Sequence, residues 1–170
     1  MKSNGSLILV NKHDHIIGKK NAPLIIIEYG DFLSYTCRDA YSFVKKIMGV
    51  MGKKISFVYR QFPVQSNYLS RLAAEASESA GAQGKFWEMH DLLFEYHNSL
   101  IEENLLEYAD HLGLDIIKFK EDLEDHRYLP KIQKDIENGF LNGVSNIPTF
   151  FVNEKIFNKS YQTLFSELKK

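Results

Sequence analysis

The sequence predicts a mixed α/β fold built from a β-α-β unit, an all-helical block and a closing β-β-α unit. Leu24 to Tyr29 is a near-continuous apolar run with three isoleucines, the pattern of a strand buried on both faces. After Tyr35, Ala40, Val44, Ile47, Met48 and Met51 recur with helical periodicity. Ile55 to Phe62 alternates as a second strand and is stopped by Pro63. A strand, a helix and a second strand in that order make the parallel pair of an α/β sheet.

The remaining elements follow in chain order. Residues 1–23 read as a lead-in with a short strand at Leu7 to Val10 and a turn at Asn21-Ala22-Pro23. Beyond Pro63 the strand pattern gives way to helices. Tyr68 to Gly81 is alanine-rich, and Gly81-Ala82-Gln83-Gly84 interrupts it. Phe86, Met89, His90, Leu93 and Phe94 form a second amphipathic face. Glu102 to Leu112 is closed by Gly113, Asp115 caps Ile116 to Leu123, and Tyr128 to Asn142 ends near Gly143. The sheet resumes at Thr149 to Val152, turns at Asn153-Glu154 and continues over Lys155 to Phe157. Tyr161 to Leu168 closes the chain as a helix with Leu164, Phe165 and Leu168 as its stripe. This divides the chain into a sheet-containing domain, residues 1–63 and 130–170, and an inserted helical subdomain, residues 64–129.

Composition narrows the function. The 170 residues suffice for a sizeable core, and a formal net charge of -1 gives no electrostatic case for nucleic acid. Lys169-Lys170 reads as a solvated helix end. One cysteine excludes an intramolecular disulfide, a cysteine-rich zinc site and a two-thiol redox centre within one chain. No run approaches the roughly 18 apolar residues of a membrane span. Leu7 to Val10 is too short for a signal-peptide core, so the expectation is a soluble, cytoplasmic protein without membrane partners. His13 and His15 have no other ligand cluster to support them, so no metal site is expected there. His90 and His97 read as partly buried helix residues.

Chemistry concentrates where the first strand meets the first helix. Glu28-Tyr29-Gly30-Asp31 ends the strand, and Ser34 and Cys37 stand at the start of the helix. Further segments belong with this turn: Asp14-His15-Ile16-Ile17-Gly18 with Ala22-Pro23, Phe57-Val58-Tyr59-Arg60-Gln61-Phe62-Pro63, Phe86 to Phe94, and Gly143-Val144 with Ile147-Pro148-Thr149-Phe150-Phe151-Val152-Asn153. In this order the chain resembles a thioredoxin fold with a helical insertion, and is similar to the DsbA-like thiol-disulfide oxidoreductases. Such proteins carry Cys-Pro-x-Cys where this chain has Ser34-Tyr35-Thr36-Cys37. The resemblance places Ser34 at the attacking cysteine, Cys37 at the resolving cysteine and Tyr35 at the proline. It implies a cis Ile147-Pro148 bond and a proton-relay role for Glu28. It also makes Tyr35, Thr36, Ile147 and Pro148 candidate substrate contacts beside the candidate catalytic residues Cys37, Ser34 and Glu28.

A helix N-terminus favours a thiolate, but a pull of that size cannot ionise a serine hydroxyl. Ser34 is therefore either a helix N-cap or a donor to a bound thiolate. Cys37 is either a small core residue or a monothiol that exchanges with glutathione or protein thiols. Glu28, in a doubly buried strand, needs a partner or a proton, and Arg60 on the neighbouring strand is the candidate partner. The favoured function is a monothiol oxidoreductase of the thiol-disulfide exchange kind, with glutathione as co-substrate and no resident cofactor; the alternatives are a kappa-class-like glutathione transferase or isomerase using Ser34, and a non-catalytic module binding a peptide or partner.

Overall fold

A computed structural model of the chain describes residues 8–168. Its sheet is centred on β2 (Leu24–Gly30), which pairs in parallel with β3 (Ile55–Gln61) from Leu24↔Ile55 to Gly30↔Gln61. β1 (His15–Gly18) adds antiparallel to the free side of β3. β4 (Thr149–Val152) adds antiparallel to β2, and β5 (Lys155–Ile156) pairs with β4. The order is β1-β3-β2-β4-β5. α1 (Tyr35–Met51) makes the crossover from β2 to β3. After β3 come α2 (Tyr68–Ala82), α3 (Phe86–Glu95), α4 (Glu102–His111), α5 (Ile116–Glu124) and α6 (Leu129–Leu141), and α7 (Leu164–Leu168) closes the described chain. The expected division at 63/64 falls between β3 and α2, and that at 129/130 falls in the first turn of α6.

The two faces of the sheet carry different cores. Ile26, Phe57 and Tyr59 join Cys37, Ala40, Val44 and Ile47 of α1, and this core continues into the helical block through Ala76, Met89 and Phe119. Ile27, Tyr29, Val58, Val144 and Phe151 form the second core, on the other face. α2 is buried along nearly its whole length. Its alanines and serines allow close approach, and the polar groups of its second half, Ser77, Glu78 and Ser79, are paired, whereas Ser70 Oγ is buried without a hydrogen bond among the described residues. Gln61 Nε2 donates to Ser77 Oγ at 2.8 Å and to Glu78 Oε1 at 3.0 Å, and Ser79 Oγ donates to Asp122 Oδ2 at 2.9 Å. His15 and Lys131 pair with Glu78 at 2.8 Å and hold its carboxyl down at about 2 against the upward pull of burial.

Two expected elements differ. The strand at Leu7 to Val10 does not form among the described residues: Leu7 lies outside them, and Ile8 instead plugs the second core from an irregular segment. The edge strand is β1, which sequence periodicity concealed because it is short and half-exposed. The closing helix is confined to α7, after a tight turn over Tyr161–Thr163 capped by Ser160. Leu164 is buried; the Phe165 side chain and Lys169-Lys170 lie outside the described residues.

Candidate functional site

The site begins where β2 runs out. Asp31, almost fully buried, organises the turn: its Oδ1 accepts the Leu33 amide at 2.8 Å and its carbonyl accepts the Ser34 amide at 3.1 Å. Its Oδ2 accepts the Val64 amide at 2.9 Å, tying the turn to the segment after β3. Asp31 was quoted above only as part of a motif; an acid directly after a buried strand and before a helix was the available signal.

Ser34 is the N-cap of α1, in extended conformation, and its Oγ accepts the Cys37 amide at 3.3 Å. The Ser34 and Thr36 hydroxyls are 2.8 Å apart, and Thr36 Oγ1 donates to the Ile147 carbonyl at 3.3 Å. A hydroxyl has one proton. With the Thr36 proton on Ile147, Ser34 donates to Thr36 and accepts from Cys37, so its own proton is already engaged. The Ile147–Pro148 peptide is cis, and both residues are half-buried beside this chain of hydroxyls. Tyr35 is exposed, with the Arg38 guanidinium 5.4 Å from its ring centroid and His97 edge-on at 5.1 Å. Arg38 Nη1 donates to His97 Nε2 at 3.1 Å, and burial followed by the Arg38 charge lowers the pKa of that imidazole. His97 thus stands beside the candidate site, which its place in the sequence did not reveal.

Cys37 has 0 % of its surface exposed and packs between α1 and the sheet. Burial pushes its thiol well up and nearby Glu28 adds to the rise, against the opposing Ser34 and Asp31 hydrogen bonds. An activated thiol needs the reverse environment. Glu28 is also buried, and desolvation raises its carboxyl well above the ordinary range. Arg60 is not its partner. Arg60 faces the second core, where Nε and Nη2 donate to Asp14 at 2.9 and 2.8 Å, Nη1 to Tyr29 and Asn138 at 2.9 Å, and Nη2 to the Leu9 carbonyl at 2.7 Å. All five of its N–H donors are used.

On the Cys37 face, Glu28 lies beside Tyr59 and Gly30. A Cβ on Gly30 would meet the Tyr59 hydroxyl at 2.9 Å and Glu28 Oε1 at 3.1 Å, so only glycine leaves this pair its space. His90 sits nearby among Phe32, Tyr59, Trp87 and Phe94; its Nδ1 pairs with Asp91 at 3.1 Å and burial lowers its pKa. Neither His90 nor His97 belongs to a metal-type cluster among the described residues. His15 is stacked on Phe86 and paired with Glu78, while His13 is exposed.

Beside Ile147 opens an apolar groove of about 310 Å³, lined by Phe62, Pro63, Val64, Ile136 and Phe140. Val64 and Phe140 are exposed there. No helix among the described residues is long and apolar enough to cross a membrane.

Comparison with known proteins agrees with this architecture. The family model described as Thioredoxin matches residues 10–170. Oxidised BdbD from Bacillus subtilis superposes with a TM-score of 0.82 at 24% identity, covering 93% of this chain and 92% of that one. The thiol-disulfide exchange protein alpha-DsbA2 from Wolbachia pipientis gives a TM-score of 0.77 at 18% identity, covering 94% and 87%. Among curated relatives, Na(+)/H(+) antiporter NhaA 1 of Salinispora arenicola is 40% identical over 149 residues, which are 87% of this chain and 23% of that protein. The chain therefore spans about a quarter of the length of the curated relatives it matches. The cis-proline loop facing a strand-to-helix turn, the five-stranded sheet and the inserted helices have one common explanation: the chain belongs to the thioredoxin family, with the fold of its DsbA-like thiol-disulfide oxidoreductases.

Proposed function

We propose that this chain is a polypeptide-binding member of its family, holding an extended segment of a partner in the groove beside Ile147-Pro148 without transferring a disulfide. The burial of Cys37 carries this reading: the sole thiol is inaccessible and unactivated, while the apolar groove next to it is open. An open apolar groove suits an extended chain. Tyr35 and Thr36 would flank the bound segment, with Ser34 acting as the helix cap. A reducing cytoplasmic setting fits a lone cysteine and belongs to the same proposal. The transporter relatives point to a partner in a membrane transport protein, which their longer chains would supply covalently.

The test is binding of reduced, carboxymethylated insulin B chain, which has no free thiol, followed by fluorescence anisotropy. Saturable binding that survives Cys37→Ala and is lost in Phe140→Asp is expected. Binding that requires Cys37, or fails in the wild type, would sink the proposal.

The half-exposed Ser34 hydroxyl at the N-terminus of α1 favours a second reading, a site for the glutathione thiolate. Ser34 would then have to release its proton from Thr36 to meet the sulfur. An unchanged affinity for reduced glutathione in Ser34→Ala would remove this reading.

A further inference from the structure

A cavity of about 540 Å³ lies between α6 and the segment before β1, and it shares no residue with the groove or the Ser34–Cys37 turn. Its lining carries five fixed cations, Lys12, Arg60, Arg127, Lys131 and Lys134, against one carboxylate, Asp135. Three of these cations are neutralised in place. Arg60 is held by Asp14 at 2.8 Å, Arg127 by Asp122 at 2.8 Å, and Lys131 by Glu78 and Asp135 at 2.8 and 2.7 Å. Lys12 and Lys134, on opposite walls, have no ion pair among the described residues.

The wall from α6 is ordered. Lys131, Lys134 and Asn138 recur at spacings of three and four on one helical stripe that runs from the first turn of α6 toward its C-terminal end. Asn138 Oδ1 is fixed by two donors, Tyr29 Oη at 2.6 Å and Arg60 Nη1 at 2.9 Å. Its amide nitrogen makes no hydrogen bond among the described residues and remains available as a donor. Two unpaired ammonium groups and a free side-chain amide surround one concave space.

We infer that this cavity binds a phosphate-type oxyanion, with Lys12 and Lys134 as the charged contacts and Asn138 as the neutral donor. Cations on two walls favour a compact dianion over a single carboxylate. No Phe, Tyr or Trp lines the space; His13 is its one aromatic ring, and it is exposed. The phosphate could be free in solution or part of an anionic lipid headgroup, and both present the same oxygens.

The full chain is titrated with inorganic phosphate while amide NMR shifts are followed, and its co-sedimentation with phosphatidylglycerol vesicles is measured in parallel. Saturable shifts centred on Lys12, Lys134 and Asn138 are expected, with affinity about tenfold weaker in Lys134→Gln and again in Lys12→Gln, as befits loss of one charge-assisted contact. Lys46→Gln, an exposed lysine on α1, serves as the control and should bind like the wild type. Binding of the free ion assigns a soluble ligand; cavity-dependent binding to vesicles alone assigns a headgroup. Absence of both, or equal weakening in the control, overturns the inference. None of these readouts depends on Cys37 or the groove.

Discussion

Glu28 and Arg60 sit one register step apart on neighbouring parallel strands, yet they occupy opposite faces of the sheet. Glu28 is opposite Tyr59, and Tyr29 is opposite Arg60. Side chains alternate along a strand, so that single step sends the carboxyl under α1 and the guanidinium toward Asp14. An acid and a base that look like partners in the sequence never meet.

Glu28 therefore keeps its proton in the folded chain, whereas in the unfolded chain it ionises above a pH of about 4.3. Its folded-state pKa is raised by burial, so its contribution to stability is complete below that pH and is lost as pH rises toward the folded value. Over that window each pH unit removes about 1.4 kcal/mol. Glu28→Gln, neutral at every pH, should gain on the wild type as pH rises above about 5 when urea-unfolding midpoints are compared. Parallel curves would mean that Glu28 is ionised in the native protein.

Cys37 should be nearly inert. With the thiol fully buried, reaction with an aromatic disulfide reagent requires opening of the α1–sheet contact, and should be about a thousandfold or more slower than in urea-unfolded protein. A native rate close to that of a free thiol would show an accessible sulfur and return the monothiol reading to first place.

The Arg60–Asp14 pair is the structural counterpart of Glu28 on the other face. Both side chains are buried, and Arg60 also holds Tyr29, Asn138 and the Leu9 carbonyl. Removing one partner leaves an uncompensated buried charge, so Arg60→Met should lower unfolding free energy by about 3 to 5 kcal/mol. Adding Asp14→Leu should recover part of that loss. A single-variant loss near zero would show that water reaches the pair.

Most of the fold was legible because its periodicities are strong. The doubly apolar run at Leu24, the helical stripe through Val44 and Ile47, and the strand at Thr149–Val152 are set by local pattern and fall where expected. β1 was not legible: an edge strand of four residues is stabilised by pairing with β3, and its half-exposed pattern looks like a loop. The site was legible as a set of positions and illegible as electrostatics. Sequence gave Glu28, Ser34, Cys37 and Pro148, but which face Arg60 takes, and that His97 reaches Arg38, depend on register and helix packing.

Ser34 offers the sharpest test of the proposal that this chain binds without transferring a disulfide. Its hydroxyl caps α1, so Ser34→Ala should cost about 1 kcal/mol of stability, measured by thermal or urea unfolding, and confer no redox activity. Ser34→Cys should do something different. The introduced thiol would sit at the same helix N-terminus, where the dipole and free amides lower a thiol pKa, three residues before Cys37. The loss of two titratable thiols on oxidation is expected, together with catalysed reduction of insulin in the presence of dithiothreitol. The family fold would then be intact around the turn, and the missing attacking sulfur alone would account for the silence of Cys37. If the variant folds but keeps two free thiols under oxidant, the turn itself has departed from disulfide geometry. Tyr35, which stands in place of the family's proline, would be the next residue to change.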